Sequence, residues 1–140
     1  MELVCTTRGS ENSMKLILLG TTGYHPNDRR HTPCMLLPEC GVALDAGTAM
    51  YRAGRLLESD ELDIFLTHAH LDHVIGLTYL FAVQRDRPLR SVRVHARNEI
   101  LQAVEEHLFA AALFPKRPPF ESCPLNGEVA VGGGGRLTHF

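Results

Sequence analysis

The chain has 140 residues, of which 44% are hydrophobic and 21% are charged, and its formal net charge is −2. This length and composition indicate one globular domain with enough apolar material to bury a core. The charge balance shows neither the basic excess typical of nucleic-acid-binding proteins nor an acidic tail typical of disorder, although a local basic patch could still bind RNA.

Four cysteines are scattered along the chain and none forms a Cys-x-x-Cys pair, so we expect no disulfide framework and a cytoplasmic location. Residues 1–13 are polar and lack the apolar segment of a secretory signal. No stretch approaches the ~18 apolar residues that a membrane helix needs. Because Met14 directly precedes the first apolar run, we expect residues 1–13 to be a disordered extension or an expression remnant, and residues 14–140 to be the folded portion.

Hydrophobic spacing and turn residues predict alternating strands and helices. In chain order, the predicted elements are strands at 14–19, 34–37 and 42–44, a helix at 48–57, a strand at 63–67, a helix over 74–84, a strand at 91–95, a helix capped by Asn98, a proline-broken connector at 114–125, and strands at 128–131 and 136–140. This alternation predicts an α/β or α+β fold. The last predicted strand is still running at Phe140, so we expect the natural protein to continue beyond it.

The segment THAHLDH at residues 67–73 places four metal-binding side chains directly after a predicted buried strand, namely His68, His70, Asp72 and His73. Imidazole nitrogens and carboxylates are preferred ligands of zinc and related divalent ions. On an extended segment His68 and His70 point the same way and can bind one ion. Asp72 and His73 lie where the next helix begins and can face a second ion, so the pattern predicts a dinuclear site.

A single histidine at a strand end is more often solvated or satisfied by the core than a metal ligand. Three histidines packed together without an ion would leave several polar rings to satisfy, so the cluster favours metal binding. Four of the five remaining histidines, His25, His31, His95 and His107, fit surface or capping positions, and His31 could also lie at the edge of a cleft. Gly76, just after the cluster, is expected to let the helix approach the sheet closely.

Several segments resemble the metallo-β-lactamase-fold hydrolases. FLTHAHLDHVIGL at residues 65–77 is similar to the signature His-x-His-x-Asp-His of this family, and VALDAG at residues 42–47 is similar to its earlier strand ending in Asp and Gly. LLGTTGYHPNDRRHTPCMLL at residues 18–37 resembles the opening of the tRNase Z, ribonuclease BN and small phosphodiesterase branch. The resemblance follows the element order over most of residues 14–140.

The resemblance implies an αββα sandwich, of which residues 14–140 are the N-terminal portion. It implies two divalent ions, zinc first and manganese or iron as alternatives, with His68 and His70 on one ion and Asp72 and His73 on the other. It implies hydrolysis by a metal-bound hydroxide that Asp72 helps to orient, and Asp45 as the acceptor that orients the histidine loop. The implied substrates are small-molecule or nucleic-acid phosphoesters.

The family completes its site with further ligands from its second half, and the chain does not supply them. His139 is a candidate substitute, and a partner chain is another source, which leaves a homodimer open. We therefore expect these 140 residues to encode about half of the fold and to be inactive alone. Arg29 and Arg30 could bind a phosphate through bidentate contacts or remain a solvated loop. Residues 48–50 depart from the tRNase Z pattern, which weakens pre-tRNA as the substrate.

Two other functions remain open from the sequence. One is a mononuclear or dinuclear iron oxidoreductase on the same scaffold, although its diiron branch usually has Glu at the position of His70. The other is a truncated, non-catalytic metal-binding module. No membrane partner is expected.

Overall fold

The computed structural model describes residues 2–4 and 14–138, which form two β-sheets and one layer of helices. The strands are Glu2–Val4 (β1), Ile17–Gly20 (β2), Cys34–Leu37 (β3), Val42–Leu44 (β4), Glu61–Phe65 (β5), Ser91–Ala96 (β6), Glu121–Pro124 (β7), Glu128–Val131 (β8) and Gly135–Thr138 (β9). The α-helices are Ala53–Leu56 (α1), Leu71–Val74 (α2), Leu80–Asp86 (α3) and Asn98–Ala103 (α4). Short 3₁₀ segments lie at Met50–Arg52, Ile75–Tyr79 and Gly132–Gly134, and a π-helical turn lies at Val104–Leu108.

The larger sheet has six strands in the order β2-β3-β4-β5-β6-β7. The pairs β4–β5, β5–β6 and β6–β7 are parallel, whereas β2–β3 and β3–β4 are antiparallel. Parallel neighbours need a long crossover, and the helices between these strands provide it. The smaller sheet is antiparallel, in the order β1-β9-β8.

The six-stranded sheet is buried on both faces, which explains why its central strands are almost uniformly apolar. Leu62 and Ile64 of β5 pack into the core beneath the helices. Phe65 packs on the opposite face with Val131 and Leu137 of the smaller sheet. The layers are therefore helices, sheet and sheet, which are three consecutive layers of the expected αββα sandwich, and the prediction of a mixed α/β fold is confirmed.

Three local predictions differ from the structure. Residues 114–125 are not all connector, because Glu121–Pro124 pairs in parallel with β6 and puts its proline at the strand end. Asn98 is not a helix cap, since α4 begins at Asn98 and Arg97 precedes it with extended backbone. Glu2–Val4 pairs with β9, although residues 1–13 were expected to lie outside the fold. The rest of that segment and His139 lie outside the described residues.

A charged cluster lies on β5 and β6 of the six-stranded sheet. Asp63 on β5 is fully buried and its Oδ1 accepts hydrogen bonds from Arg93 Nε at 2.6 Å and His95 Nε2 at 2.7 Å. Burial alone would raise the pKa of the Asp63 carboxyl, but these partners outweigh it and hold that pKa below its ordinary value. His95 is buried and stacks on Phe65 with ring centroids 4.5 Å apart, so its prediction as a surface or capping group is wrong.

No helix within the described ranges could cross a lipid bilayer.

We predict that Asp63→Asn lowers the free energy of unfolding by about 2 kcal/mol or more at neutral pH, because Arg93 and His95 lose a buried charged acceptor. The native carboxylate has a lowered pKa, so its contribution is present above the ordinary value of 3.8 and disappears as the pH falls through the folded-state pKa. Urea denaturation over a pH series should therefore show that the free energy of unfolding falls less steeply toward acid pH in the variant than in the wild type. Asp60→Asn is the matched control, because its pair with Arg90 is exposed. An equally steep fall of the free energy of unfolding toward acid pH in wild type and Asp63→Asn would contradict the prediction.

Candidate metal centre

The segment that carries the four candidate ligands begins where β5 ends and runs into α2. The backbone N–H of Leu66 donates to the carbonyl oxygen of His95 at 2.9 Å, which continues the sheet one residue past Phe65. The chain bends at Thr67, is extended again at His70, with φ −65° and ψ 144°, and enters α2 at Leu71. The carboxyl end of a buried parallel strand is a common place for a functional site.

Asp45 lies at the end of the neighbouring parallel strand, directly beside this segment. Leu44 and Phe65 are register partners, and the backbone N–H of Asp45 donates to the carbonyl oxygen of Phe65 at 2.9 Å. The side chain of Asp45 is buried. Its Oδ1 accepts a hydrogen bond from the backbone N–H of Thr67 at 2.8 Å, and its Oδ2 lies 2.8 Å from Nδ1 of His73. One carboxylate therefore binds both ends of the segment.

The backbone of Asp45 has φ +57°, a left-handed conformation that few residues other than glycine adopt. Such a conformation is a source of local strain, and strain of this kind clusters at functional sites. Aspartate tolerates this region better than most residues do. The conformation turns the chain sharply after β4, and the turned chain places the carboxylate under the histidines.

The structure brings all four candidate ligands together. The ring centroids of His68 and His70 lie 4.5 Å apart, and those of His68 and His73 lie 3.9 Å apart. Oδ2 of Asp72 lies 3.4 Å from Nε2 of His73. Three imidazoles and one carboxylate thus share one small region, with Asp45 beneath them.

Burial lowers the pKa of His68, and the neighbouring rings of His73 and His70 lower it further. The lowered pKa favours the neutral form of His68. Metal binding requires neutral imidazole, and the electrostatics of the cluster therefore suit a metal ligand.

The side chains of the cluster are donors of the kind that divalent metal ions accept. Within residues 2–4 and 14–138, no three His, Cys, Asp or Glu side chains are placed to hold one ion by themselves. The expected arrangement assigns two ligands of this chain to each ion, His68 with His70 and Asp72 with His73. The nitrogen and oxygen donors are those that zinc accepts, and a complete coordination shell would need further ligands.

Close backbone contacts hold α2 and the 3₁₀ segment after it against the turn after β4. The backbone N–H of Ala46 donates to the carbonyl oxygen of His73, and that of Gly76 donates to the carbonyl oxygen of Ala46, both at 2.7 Å. A Cβ on Gly76 would lie under 3.0 Å from Met50 and from two backbone oxygens. Gly76 thus permits close packing, as predicted, but against the turn after β4 and Met50 rather than against the sheet itself.

The loop before β3 forms a polar cavity of about 220 Å³, lined by Arg29, Arg30, His31 and Arg52 among others. Nδ1 of His31 lies 3.0 Å from Oγ1 of Thr48, which also accepts a hydrogen bond from the backbone N–H of Thr32. Burial and the nearby Arg52 lower the pKa of His31. His31 therefore lies at the edge of a cavity, whereas His25 and His107 are exposed.

Sequence reasoning missed Thr67. Its hydroxyl oxygen lies 3.0 Å from each oxygen of the Asp45 carboxylate and 2.9 Å from Nδ1 of His68. The only signal in the sequence is a hydroxyl residue directly before the first histidine of the cluster. Its acceptor is 22 residues away in the chain, so the contact depends on the pairing of β4 with β5.

Comparison with known proteins gives relatives at the level of both sequence and fold, although no protein-family model matches the sequence. The chain is 34% identical over 136 residues to a ribonuclease Z of Bradyrhizobium sp. (strain ORS 278), covering 90% of this chain and 44% of that protein. It spans less than half the length of this curated relative.

Two solved structures share the fold. Zn²⁺-bound PqqB from Methylobacterium extorquens has a TM-score of 0.53 and 16% identity, covering 81% of this chain and 47% of that one. A diphosphatase of the PhnP family has a TM-score of 0.53 and 20% identity, covering 78% of this chain and 43% of that one.

We predict that Gly76→Ala lowers the free energy of unfolding by about 2 kcal/mol, because the added methyl group overlaps fixed backbone oxygens. Chemical denaturation measures the effect. Gly23→Ala is the matched control, because a Cβ there meets nothing within 4 Å and the backbone needs no positive φ. Equal stability of the two variants would show that the contact at Gly76 can relax.

We predict that Asp45→Gly is more stable than Asp45→Ala by about 1 kcal/mol, which reverses the usual order of these two residues. Both substitutions remove the carboxylate, so their difference isolates the left-handed backbone at φ +57°. Urea denaturation of both variants measures this difference. An alanine variant as stable as the glycine variant would mean that residue 45 leaves the left-handed region without cost.

Proposed function

Because this chain belongs to the metallo-β-lactamase superfamily, we propose that its protein is a metal-dependent hydrolase that acts on phosphodiesters. The observation that carries this proposal is the convergence of three imidazoles and Asp72 at the end of β5, above the buried carboxylate of Asp45. We assign His68 and His70 to one divalent ion and Asp72 and His73 to a second, with zinc as the first choice and manganese or iron as alternatives.

The chain's own residues would hold and orient the reacting groups. His73 keeps Nε2 toward the cluster, because its Nδ1 is bonded to Asp45 at 2.8 Å. The Asp72 side chain is 13% exposed and could accept a hydrogen bond from the attacking water, which would orient it toward the substrate. Two bound divalent ions would supply Lewis acidity and lower the pKa of a bound water.

Two findings support a phosphoester as the substrate. The sequence relative is a ribonuclease Z and one structural neighbour is a diphosphatase, so both names refer to phosphorus chemistry. Arg29, Arg30 and Arg52 line one polar cavity, and guanidinium groups bind phosphate oxygens in a bidentate manner. The proposal includes small-molecule and nucleic-acid phosphoesters.

We also propose that residues 14–140 are the N-terminal portion of the domain and that further ligands come from chain beyond it or from a partner subunit. The partial coverage of the relative supports this, because the chain spans 44% of that protein. The proposal includes a cytoplasmic location and leaves a homodimer open.

We predict that the protein, loaded with zinc or manganese, hydrolyses a bis-aryl phosphodiester and that His70→Ala lowers the rate by about 100-fold or more, because one ion loses a ligand. Release of the aryl alcohol is followed by absorbance, and bound metal is measured by elemental analysis. His25→Ala is the matched control, because this exposed ring contacts Tyr24 and not the cluster.

Full activity in His70→Ala would contradict the assignment. Iron, rather than zinc, in protein purified without oxygen, together with oxygen consumption, would favour the oxidoreductase alternative.

A further inference from the structure

We propose that Thr67 is a positioning residue whose single hydroxyl proton fixes which ring nitrogen of His68 faces the metal cluster. Its backbone N–H already donates to Asp45 Oδ1 at 2.8 Å. Its hydroxyl lies between that carboxylate, at 3.0 Å from each oxygen, and Nδ1 of His68, at 2.9 Å. Thr67 therefore connects a buried acceptor to a candidate ligand.

The direction of these hydrogen bonds follows from the number of protons. An ionised carboxylate can only accept hydrogen bonds, whereas a threonine hydroxyl has one proton to donate and lone pairs to accept with. The hydroxyl of Thr67 therefore donates to Asp45 and can only accept from His68. Nδ1 of His68 must then carry the hydrogen, and Nε2 is left with the lone pair that binds a metal ion.

The same carboxylate sets the second ring directly. Nδ1 of His73 lies 2.8 Å from Oδ2 of Asp45 and donates to it, so in the neutral ring Nε2 of His73 is likewise the nitrogen without hydrogen. The contact of Thr67 with His73, at 3.5 Å, is too long to compete. Asp45 thus selects the ring form of His73 by direct contact and that of His68 through Thr67.

Threonine suits this role better than serine does. Its branched β-carbon restricts the first side-chain torsion, which keeps the hydroxyl between its two partners. Serine retains the proton and loses that restriction, so we expect Thr67→Ser to preserve most of the effect. Valine has nearly the same shape as threonine and no hydroxyl, so Thr67→Val removes the relay while keeping the volume.

The inference rests on the proposed metal centre for its purpose, but the ring form is a property of the metal-free protein and can be tested there. Long-range ¹H–¹⁵N correlation spectra of protein labelled at histidine, after treatment with a chelator, identify the protonated nitrogen of each ring. In the wild type we expect hydrogen on Nδ1 of both His68 and His73. In Thr67→Val we expect His68 to shift toward the form protonated at Nε2, while His73 stays unchanged.

Zinc affinity, measured by calorimetric titration, is the second readout. Thr67→Val should bind zinc about 10-fold more weakly, and Thr67→Ser should remain close to wild type. A general structural defect would alter His73 as well, so the unchanged His73 signal separates positioning from damage. Thr67→Ala replaces the valine variant if that variant does not fold.

Hydrogen on Nε2 of His68 in the wild type would overturn the inference regardless of any variant. The same holds if His68 keeps its ring form in Thr67→Val. One outcome is that the ring forms are as expected while neither the wild type nor any variant binds zinc. In that case the proposed function fails and the role of Thr67 in setting the ring form stands. If zinc binds and removal of the hydroxyl changes neither readout, the proposed function stands and the role of Thr67 fails.

Discussion

The site depends on the hydrogen bonds that the buried carboxylate of Asp45 accepts. It accepts from the backbone of Thr67 at one end of the ligand segment, and it is bonded to the ring of His73 at the other. A short loop fixed at both ends has few conformations left, so the side chains between them are held close together. The left-handed backbone at Asp45 is locally unfavourable in free energy, and the hydrogen bonds to its carboxylate offset this strain.

The sheet supplies the placement that makes those hydrogen bonds possible. The parallel pairing of β4 and β5 brings the two strand ends level, with Leu44 opposite Phe65. Below that edge, Asp63, Arg93 and His95 form a charged cluster within the same sheet. Removing one member of such a cluster is costly, because its partners stay buried without a counter-charge. The polar groups of the interior therefore help to keep β5 and β6 in register beneath the site.

The sequence was sufficient to predict the order of the elements from β2 to β6, the mixed α/β class and the gathering of His68, His70, Asp72 and His73. These residues lie within six positions, so local geometry alone keeps them near one another. The environment of His95 and the role of Thr67 could not be predicted, because their partners lie 32 and 22 residues away and depend on strand register. The strand β7 was missed because prolines obscure its local pattern.

The separation of Asp45 from the histidines along the chain has a consequence for protein engineering. A peptide cut from residues 65–77 would keep every candidate ligand and lose the acceptor that orients them. Grafting this motif onto another scaffold would therefore require a second strand, parallel to the first and ending in a left-handed aspartate. The candidate ligand segment is thus not a portable unit, and its smallest transferable form is a pair of strands with their crossover.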